Sequence, residues 1–444
     1  MKLRHRLGIE WAGVALVASL IVTALIYWNS LSGFDNLLYD RLSEYDRPEA
    51  SEEMLIIAVD EDSLEAVGKW PWPRDRHADL LSILAEAEPK AIAFDMALAE
   101  AATKNKNLFL PLHFVFPGSN GADFDVKEPI APLKQAASGV GHVNLVFDRD
   151  GVVRRTSLCF AGTVDGTETI WPHLMEQLYS SVNGRSSAAY TRLENCQQPL
   201  LMPFADRGAF SQIPYAAVLN GEISAAFLTD KIILVGATAQ GLGDQHPVPL
   251  GDGGTMAGVE IMANMLGDIM VDNFITPVSL GMQIALSLIP AWILLIGFWR
   301  LRPRTTIFVS VGLIVVILVL SAVLLSFQIW FAPGAALVGL SLVYPIWGWR
   351  RLQATSDFMD SELEKYRSET LDIPVLRGSL GPADLVTQQA EDLAYAIKHM
   401  RDLRRFISDA LTNLPDPMFI TDLDGKVNFV NKLAQTGVED GIQD

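Results

Sequence analysis

The chain has 444 residues, 50% of them hydrophobic, and a formal net charge of -18. That apolar share exceeds the norm for a soluble protein and indicates soluble domains joined to membrane spans, two or three domains by length. The acidic balance excludes nucleic-acid binding, which needs a basic footprint.

Residues 1–6 include Lys2, Arg4 and Arg6, and an apolar run follows over 7–28. The run is long for a signal-peptide core, and no small-x-small cleavage site follows it. Residues 1–28 are therefore expected to form an uncleaved transmembrane signal anchor. Glu10 falls at the cytoplasmic edge, Trp11 at one interface, and Tyr27 and Trp28 at the other.

Residues 29–277 then form an outer domain. The runs 54–60 (MLIIAVD), 90–95 (KAIAFD), 108–116 and 231–237 (KIILVGA) predict buried strands. Residues 77–88 place Leu80, Leu81 and Leu84 at helical spacing, and 170–182 and 258–271 also predict helices. The runs 140–148 and 152–161 flank Arg149-Asp150-Gly151, and the Asp-Gly pair predicts a hairpin. Apolar strands separated by helical patterns predict an α/β domain, its sheet mainly parallel with helices on both faces. Cys159 and Cys196 both fall in this outer part. A disulfide between them is permitted there, and two separate thiols are the alternative.

Three apolar runs come next, 278–299, 306–327 and 332–349, the last carrying Pro345. An uncharged run of about 20 residues can cross a bilayer as a helix. The basic clusters at 300–304 and at Arg350 and Arg351 face the cytoplasm by the positive-inside rule. With the anchor this gives four transmembrane helices, both termini cytoplasmic and 29–277 outside.

Residues 350–413 read as cytoplasmic signalling helices, broken over 371–384 by Pro374, Gly378, Gly381 and Pro382. Val386, Leu393, Met400, Ile407 and Leu414 then recur every seven residues, with Ala396, Leu403 and Ala410 completing an a/d seam. That seam predicts a coiled coil and hence a parallel homodimer; one amphipathic helix packed on its own domain is the alternative. Residues 414–444 hold a strand, an Asp-Gly turn and a second strand, and resemble the opening of a PAS domain (an α+β fold). That fold needs several times this length, so a longer parent protein is expected.

The outer domain resembles a known module. Phe34-Asp35-Asn36-Leu37-Leu38-Tyr39-Asp40-Arg41-Leu42, Gly68-Lys69-Trp70-Pro71-Trp72-Pro73-Arg74 and Pro89–Asp95 match it in order and spacing. So do Val140-Gly141-His142-Val143-Asn144, Asp148-Arg149-Asp150-Gly151, residues 231–244 (KIILVGATAQGLGD) and Ala257-Gly258-Val259-Glu260-Ile261. Together with the three following apolar runs, these are similar to the type-two CHASE domain, an extracytoplasmic bacterial sensor module. Residues 96–107 are short for that family. The resemblance implies a receptor of the bacterial inner membrane, most simply the sensor half of a histidine kinase in a two-component system. A response regulator, ATP and magnesium would then serve the missing output. The runner-up output is a nucleotide cyclase, making cyclic di-GMP or cyclic AMP.

No Walker loop, H-E-x-x-H, G-x-S-x-G or zinc-like Cys cluster is present, so the chain itself is expected to use no cofactor or metal and to carry no catalytic residue. A membrane-anchored outer enzyme would need a nucleophile–base pair, and none stands out. In open parallel sheets, ligands bind beyond the carboxyl ends of the strands. The polar residues expected there are Asp60, Asp95, Asn144 and Thr238, with Asp244 and His246 from the glycine-rich loop at 241–246. Asp60 and Asp95 suit helix caps equally well, and the glycines suit tight turns. The Trp70–Arg74 turn offers Trp70, Trp72 and Arg74 to a pocket, or pins a loop onto its own core, the commoner outcome. His142 and Asn144, beside Asp148 and Arg154, form either a site or an ionic network. His77 and His142 are the residues that a pH-sensing reading would use. The ligand itself is an unidentified small molecule or physical stimulus.

Overall fold

Strands that are apolar at every position can be buried only if both faces of their sheet are covered. That requirement sets the architecture of the outer domain. The computed structural model describes residues 3–95, 107–119, 123–164, 167–193, 196, 199–251, 253–301, 303–369, 397–398, 401–402, 405–416, 418–422, 424, 426–431 and 433–434.

In chain order the elements begin with α1 (Leu3–Tyr27), α2 (Ser32–Ser43), β1 (Met54–Val59), α3 (Glu61–Val67), α4 (Arg74–Ala87), β2 (Ala91–Phe94), β3 (Leu108–Val115) and β4 (Asp125–Lys127). Then come α5 (Ala131–Ala136), β5 (Gly139–His142), β6 (Val146–Phe147), β7 (Val153–Thr156), β8 (Cys159–Val164), β9 (Thr167–Pro172), α6 (Leu174–Asn183), α7 (Ala188–Thr191), β10 (Leu200–Leu201) and β11 (Ser211–Pro214). The domain closes with α8 (Tyr215–Leu219), α9 (Ala225–Leu228), β12 (Ile232–Ala237), β13 (Gln245–Pro247), β14 (Thr255–Ala257), α10 (Gly258–Val271) and β15 (Thr276–Pro277). Helices α11 (Leu280–Arg300) and α12 (Pro303–Ser326), strand β16 (Ile329–Trp330), α13 (Gly334–Glu369), β17 (Phe419–Thr421) and β18 (Val427–Val430) complete the chain.

The main sheet runs β11-β1-β12-β2-β3, with β5 and β4 both on β3. Every pairing in it is parallel except β3 with β4. The period-two alternation of a strand splits the core into two layers. Met54, Ile56 and Ala58 of β1, with Ile232 and Leu234 of β12, face Leu174 and Leu178 of α6 and Val259, Met262 and Leu266 of α10. Leu55, Ile57 and Val59, with Ile233 and Val235, face Leu80, Leu81 and Leu84 of α4 and Tyr215 and Val218 of α8. The α/β class and the cover on both faces are as the sequence predicts.

Several local boundaries differ. The run 140–148 is two strands: β5 joins the main sheet, while β6 turns away to pair with β7 across the Asp150-Gly151 turn. The run 152–161 also divides, and β8 pairs with β9 in a separate hairpin. Helix 170–182 begins later, at Leu174, because 167–172 is that second strand of the hairpin. Cys159 in β8 is disulfide-bonded to Cys196, tying the hairpin to the loop before β10. The segment 96–106 lies outside the described residues.

Three described helical segments are long and apolar enough to cross a membrane: Gly8–Tyr27, Leu280–Phe298 and Arg304–Ser326. Val311, Val315, Val319 and Val323 of α12 form an exposed stripe at i, i+4 spacing, suited to lipid. The expectation of four such helices is corrected to three. The run 332–349 forms the start of α13, where only residues 334–349 precede Arg350. At 1.5 Å per residue that is about 24 Å, short of the roughly 30 Å hydrocarbon core.

The chain separates into two compact units, residues 19–341 and residues 1–18 with 342–444. Within the first, β15 pairs in parallel with β16, so the strands before α11 and after α12 are fastened together. There too, Gly339 lies against Val22, whose Cγ2 would be 2.7 Å from an added Cβ. Within the second unit, Arg350 pairs with Glu10 at 2.5 Å. β17 and β18 form the expected antiparallel hairpin, and its turn is held by Asp422 Oδ1, which accepts from the amides of Asp424 (3.1 Å) and Lys426 (2.8 Å). Of the heptad residues, Val386, Leu393, Met400 and Leu403 lie outside the described residues, while Ile407 is exposed on a helical segment and Leu414 is half-buried.

β5 can pack under α6 only because Gly141 has no side chain. A Cβ there would come within 2.6 Å of the Leu174 backbone nitrogen and Cα. Gly141→Ala should lower stability by about 1–3 kcal/mol, read as the thermal unfolding midpoint of the purified chain.

Candidate functional site

The strand-end crest is built by β1, β2 and β12 ending side by side. Asp60 follows β1 and caps α3, its Oδ1 accepting from the Ser63 amide at 2.9 Å. Thr238 follows β12, where its amide donates to Val59 O at 3.1 Å and its carbonyl accepts from Gln245 Nε2 at 3.0 Å. The loop beyond is tied to α3 by the Gln240 amide, which donates to Glu61 Oε1 at 3.1 Å. Gly243 closes its turn at φ 79°, a backbone region glycine adopts without strain.

Asp95, Asp244 and His246 do come together. His246 Nε2 lies 3.0 Å from Asp244 Oδ1. The carboxyls of Asp95 and Asp244 are hydrogen-bonded to each other, and burial first, then the Asp244 charge, push Asp95 well above the usual carboxylate range. The Asp95 carboxyl is therefore pushed towards its protonated form. Asp244 also rests on Gly258 at the start of α10, where a Cβ would lie 2.5 Å from its Oδ2. His113, on the solvent side of β3, feels the Asp244 charge and is a neighbour that sequence reasoning missed; partial burial lowers its pKa while Asp244 opposes the shift. The available signal was a lone imidazole in the otherwise apolar run LFLPLHFV. Among the described residues no group of three or more His, Cys, Asp or Glu is arranged to hold a metal ion.

The other nominated residues lie elsewhere. Trp72 is buried, donates from Nε1 to Gly68 O at 2.7 Å and packs its ring against Tyr215 at 4.9 Å. Trp70 meets Trp72 edge-on at 5.1 Å, and Arg74 opens α4 on the exposed side. The turn is thus pinned to its own core. His77 belongs to the same cluster, its Nδ1 2.8 Å from Tyr215 Oη, and burial lowers its pKa. Asn144 acts as a strand substitute: Oδ1 accepts from Phe114 N at 2.8 Å and Nδ2 donates to Phe114 O at 2.9 Å. His142 is buried against His173 with no hydrogen-bond partner at either ring nitrogen among the described residues, and burial lowers its pKa to about 3. Neither His77 nor His142 is placed to gain a proton near neutral pH.

Arg154 provides a second centre, only 3% exposed. Its Nε and one terminal nitrogen bond both oxygens of Asp40 on α2, at 2.7 and 2.8 Å. Asp148 and Asp150 of the β6–β7 turn accept from it at 3.0 and 2.9 Å. Burial pulls its pKa down, but bonds to Asp40, Asp150 and Asp148 reverse this and hold it further above its usual value. The other face of α2 carries Tyr39, buried edge-on to Trp330 of β16 at 5.2 Å, and Asp35, whose Oδ1 accepts from the Gly334 amide at 2.7 Å. Crest and α2 are joined through Phe147, which lies between His246 (5.7 Å ring to ring) and Asp148 in the hairpin. Cavities of about 320 and 270 Å³ flank α2, the first lined by Arg47, Asn273, Leu325 and Gln328, the second by Asp35, Arg155, Gln283 and Trp330.

The α/β domain is thus joined through α2 and β15 to helices long and apolar enough to cross a membrane. The chain matches the CHASE2 domain over residues 16–302 and belongs to that family. CHASE2 is an extracellular sensor domain of signalling receptors. Neither a curated protein nor a solved structure matches the chain.

Removing a charge from a buried network leaves its partners uncompensated. Arg154→Ala should destabilise the fold by about 3–5 kcal/mol in denaturant titration of the full chain. A base whose folded pKa is depressed contributes stability above its unfolded pKa of 6.5 and loses it as pH falls towards the folded value of about 3. His142→Phe should therefore flatten the fall in unfolding midpoint between pH 6.5 and about 4, and an unchanged pH profile would refute the assignment.

Proposed function

We propose that the chain is the sensor and transmission part of a dimeric bacterial inner-membrane receptor. Its outer domain detects an extracytoplasmic stimulus and controls a cytoplasmic histidine kinase working with a response regulator. The observation that carries this reading is the unbroken series of contacts from the crest through Phe147, Asp148 and Arg154 to Asp40 of α2, and from α2 to Gly334 of α13. The crest residues Asp60, Asp95, Thr238, Asp244 and His246, joined by His113, form the proposed stimulus site. The basic pair Arg350 and Arg351 supports a cytoplasmic C-terminus, where residues 350–413 form the coiled-coil relay and 414–444 open a PAS domain. A small change in a two-state helical element is sufficient to carry such a signal. A cyclase output uses the same relay, and a phosphoacceptor histidine helix beyond residue 444 separates the two.

The relay predicts a specific crosslink. In membrane vesicles, full-length chain carrying Ile407→Cys should form a disulfide-linked dimer on mild oxidation. Leu403→Pro should abolish it, and the yield should change severalfold with the outer medium in wild-type background but not with Asp40→Asn. A monomer under all conditions, or crosslinking indifferent to Leu403→Pro, would count against the dimeric relay.

A further inference from the structure

The pH-sensing role that the sequence suggests for histidines falls to a carboxyl group instead. Asp35 is nine-tenths buried, outside the membrane-spanning segments, on the wall of the 270 Å³ cavity beside α2. The one partner bonded to its carboxyl among the described residues is the Gly334 amide, and no ion pair forms there. Gly334 starts α13, and its missing side chain leaves the space, since a Cβ would stand 2.8 Å from Asp35 Oδ1. Asp35 thus caps one helix from another, 299 residues apart in sequence.

We propose that Asp35 is a proton-binding switch: protonation of its carboxyl by an acidified outer medium tightens the junction of α2 with α13, and deprotonation loosens it. The inference rests on the receptor reading for its biological use and names the proton as a stimulus.

Two effects compete at this carboxyl. The Gly334 amide and the N-terminal end of α13 favour the anion, whereas burial without a cation favours the neutral acid. Burial wins, moving the pKa from 3.8 to about 6 against the opposing amide bond. A neutral carboxyl keeps an oxygen to accept from Gly334 and sheds the charge. A raised acid pKa means that junction stability is complete below the unfolded value of 3.8 and is lost as pH rises through about 6.

Other charged and titratable groups surround this carboxyl. On β7, Arg155 lines the same cavity, but its guanidinium pairs with Asp148 at 3.3 Å. On α2, Asp40 is held by Arg154, and Tyr39 is kept protonated by burial and by Asp268 of α10. Burial raises Asp268 well above the carboxylate range, with a bond to Asn273 opposing. From α11 and β16 the facing polar groups are Gln283 and Trp330, both neutral.

The test is hydrogen exchange of the full chain in lipid nanodiscs, corrected for intrinsic rates, between pH 5 and 7.5. In the wild type, protection over residues 329–338 should be flat above pH 6, begin to rise as pH falls through about 6, and be about tenfold higher at pH 5. Asp35→Asn, and as a second uncharged cap Asp35→Ser, should leave protection independent of pH. The β12 peptide, Ile232–Ala237, serves as the folding control and should stay protected throughout. A flat wild-type profile, or the same pH response in both folded variants, overturns the inference. Because the readout is the junction and not the output, either result leaves the receptor reading to its own crosslinking test.

Discussion

The placement of α2 depends on one buried charge. Arg154 lies in the interior of the outer domain, and an unpaired guanidinium there would not be tolerated. Asp148 and Asp150 come from its own hairpin, but both oxygens of Asp40 come from α2. The bidentate geometry sets direction as well as distance. Once Asp40 is held, the 3.6-residue helical repeat brings Tyr39 against Trp330 and Asp35 against Gly334. A short helix thereby carries a sensor contact and a membrane-helix contact on the same rigid cylinder.

The crest and the junction differ in what they can do. At the crest, Asp95 is pushed towards its protonated form beside Asp244, which also meets His246, so a polar guest would meet donors and acceptors already arranged. At the junction Asp35 is buried with the Gly334 amide as the bonded partner of its carboxyl, so a change of one charge is felt strongly. His142 shows why burial alone does not make a switch. Its pKa of about 3 keeps it neutral across any ordinary medium, and it behaves as an aromatic core residue beside His173.

Much of this was legible in the residues. Strands β1, β2 and β12 are continuously apolar, and the parallel sheet follows from that. The strand-end rule named Asp95, Asp244 and His246, which the fold brings next to one another, along with Asp60, which is a cap, and Asn144, which is a backbone substitute. What escaped notice has long-range causes. Strand β11, Ser211–Pro214, is polar at its exposed end and is a strand only because β1 offers it an edge. The run 140–148 looked continuous because nothing local shows where β5 leaves the sheet for β6. Nothing local marks the acidic residues of α2 as buried, since Asp35 and Asp40 find their partners 299 and 114 residues away. The fourth crossing was counted by hydropathy, yet the helix there reaches Arg350 after too few turns to span alone.

The two ends of α2 are unequal in strength, and the inequality indicates where a stimulus acts most easily. Breaking the Arg154 cluster would expose several buried charges at once, about 3–5 kcal/mol by analogy with other buried pairs. Neutralising Asp35 is worth about 1.4 kcal/mol for each pKa unit, so its shift from 3.8 to about 6 amounts to roughly 3 kcal/mol. That is less than the ~5.5 kcal/mol needed to invert a strongly biased two-state equilibrium, but it is enough to move one that starts near balance by about a hundredfold. The sensor end of α2 is therefore the fixed attachment, and the α13 end is the place where a change of a few kcal/mol alters the joint without unfolding the domain that holds it.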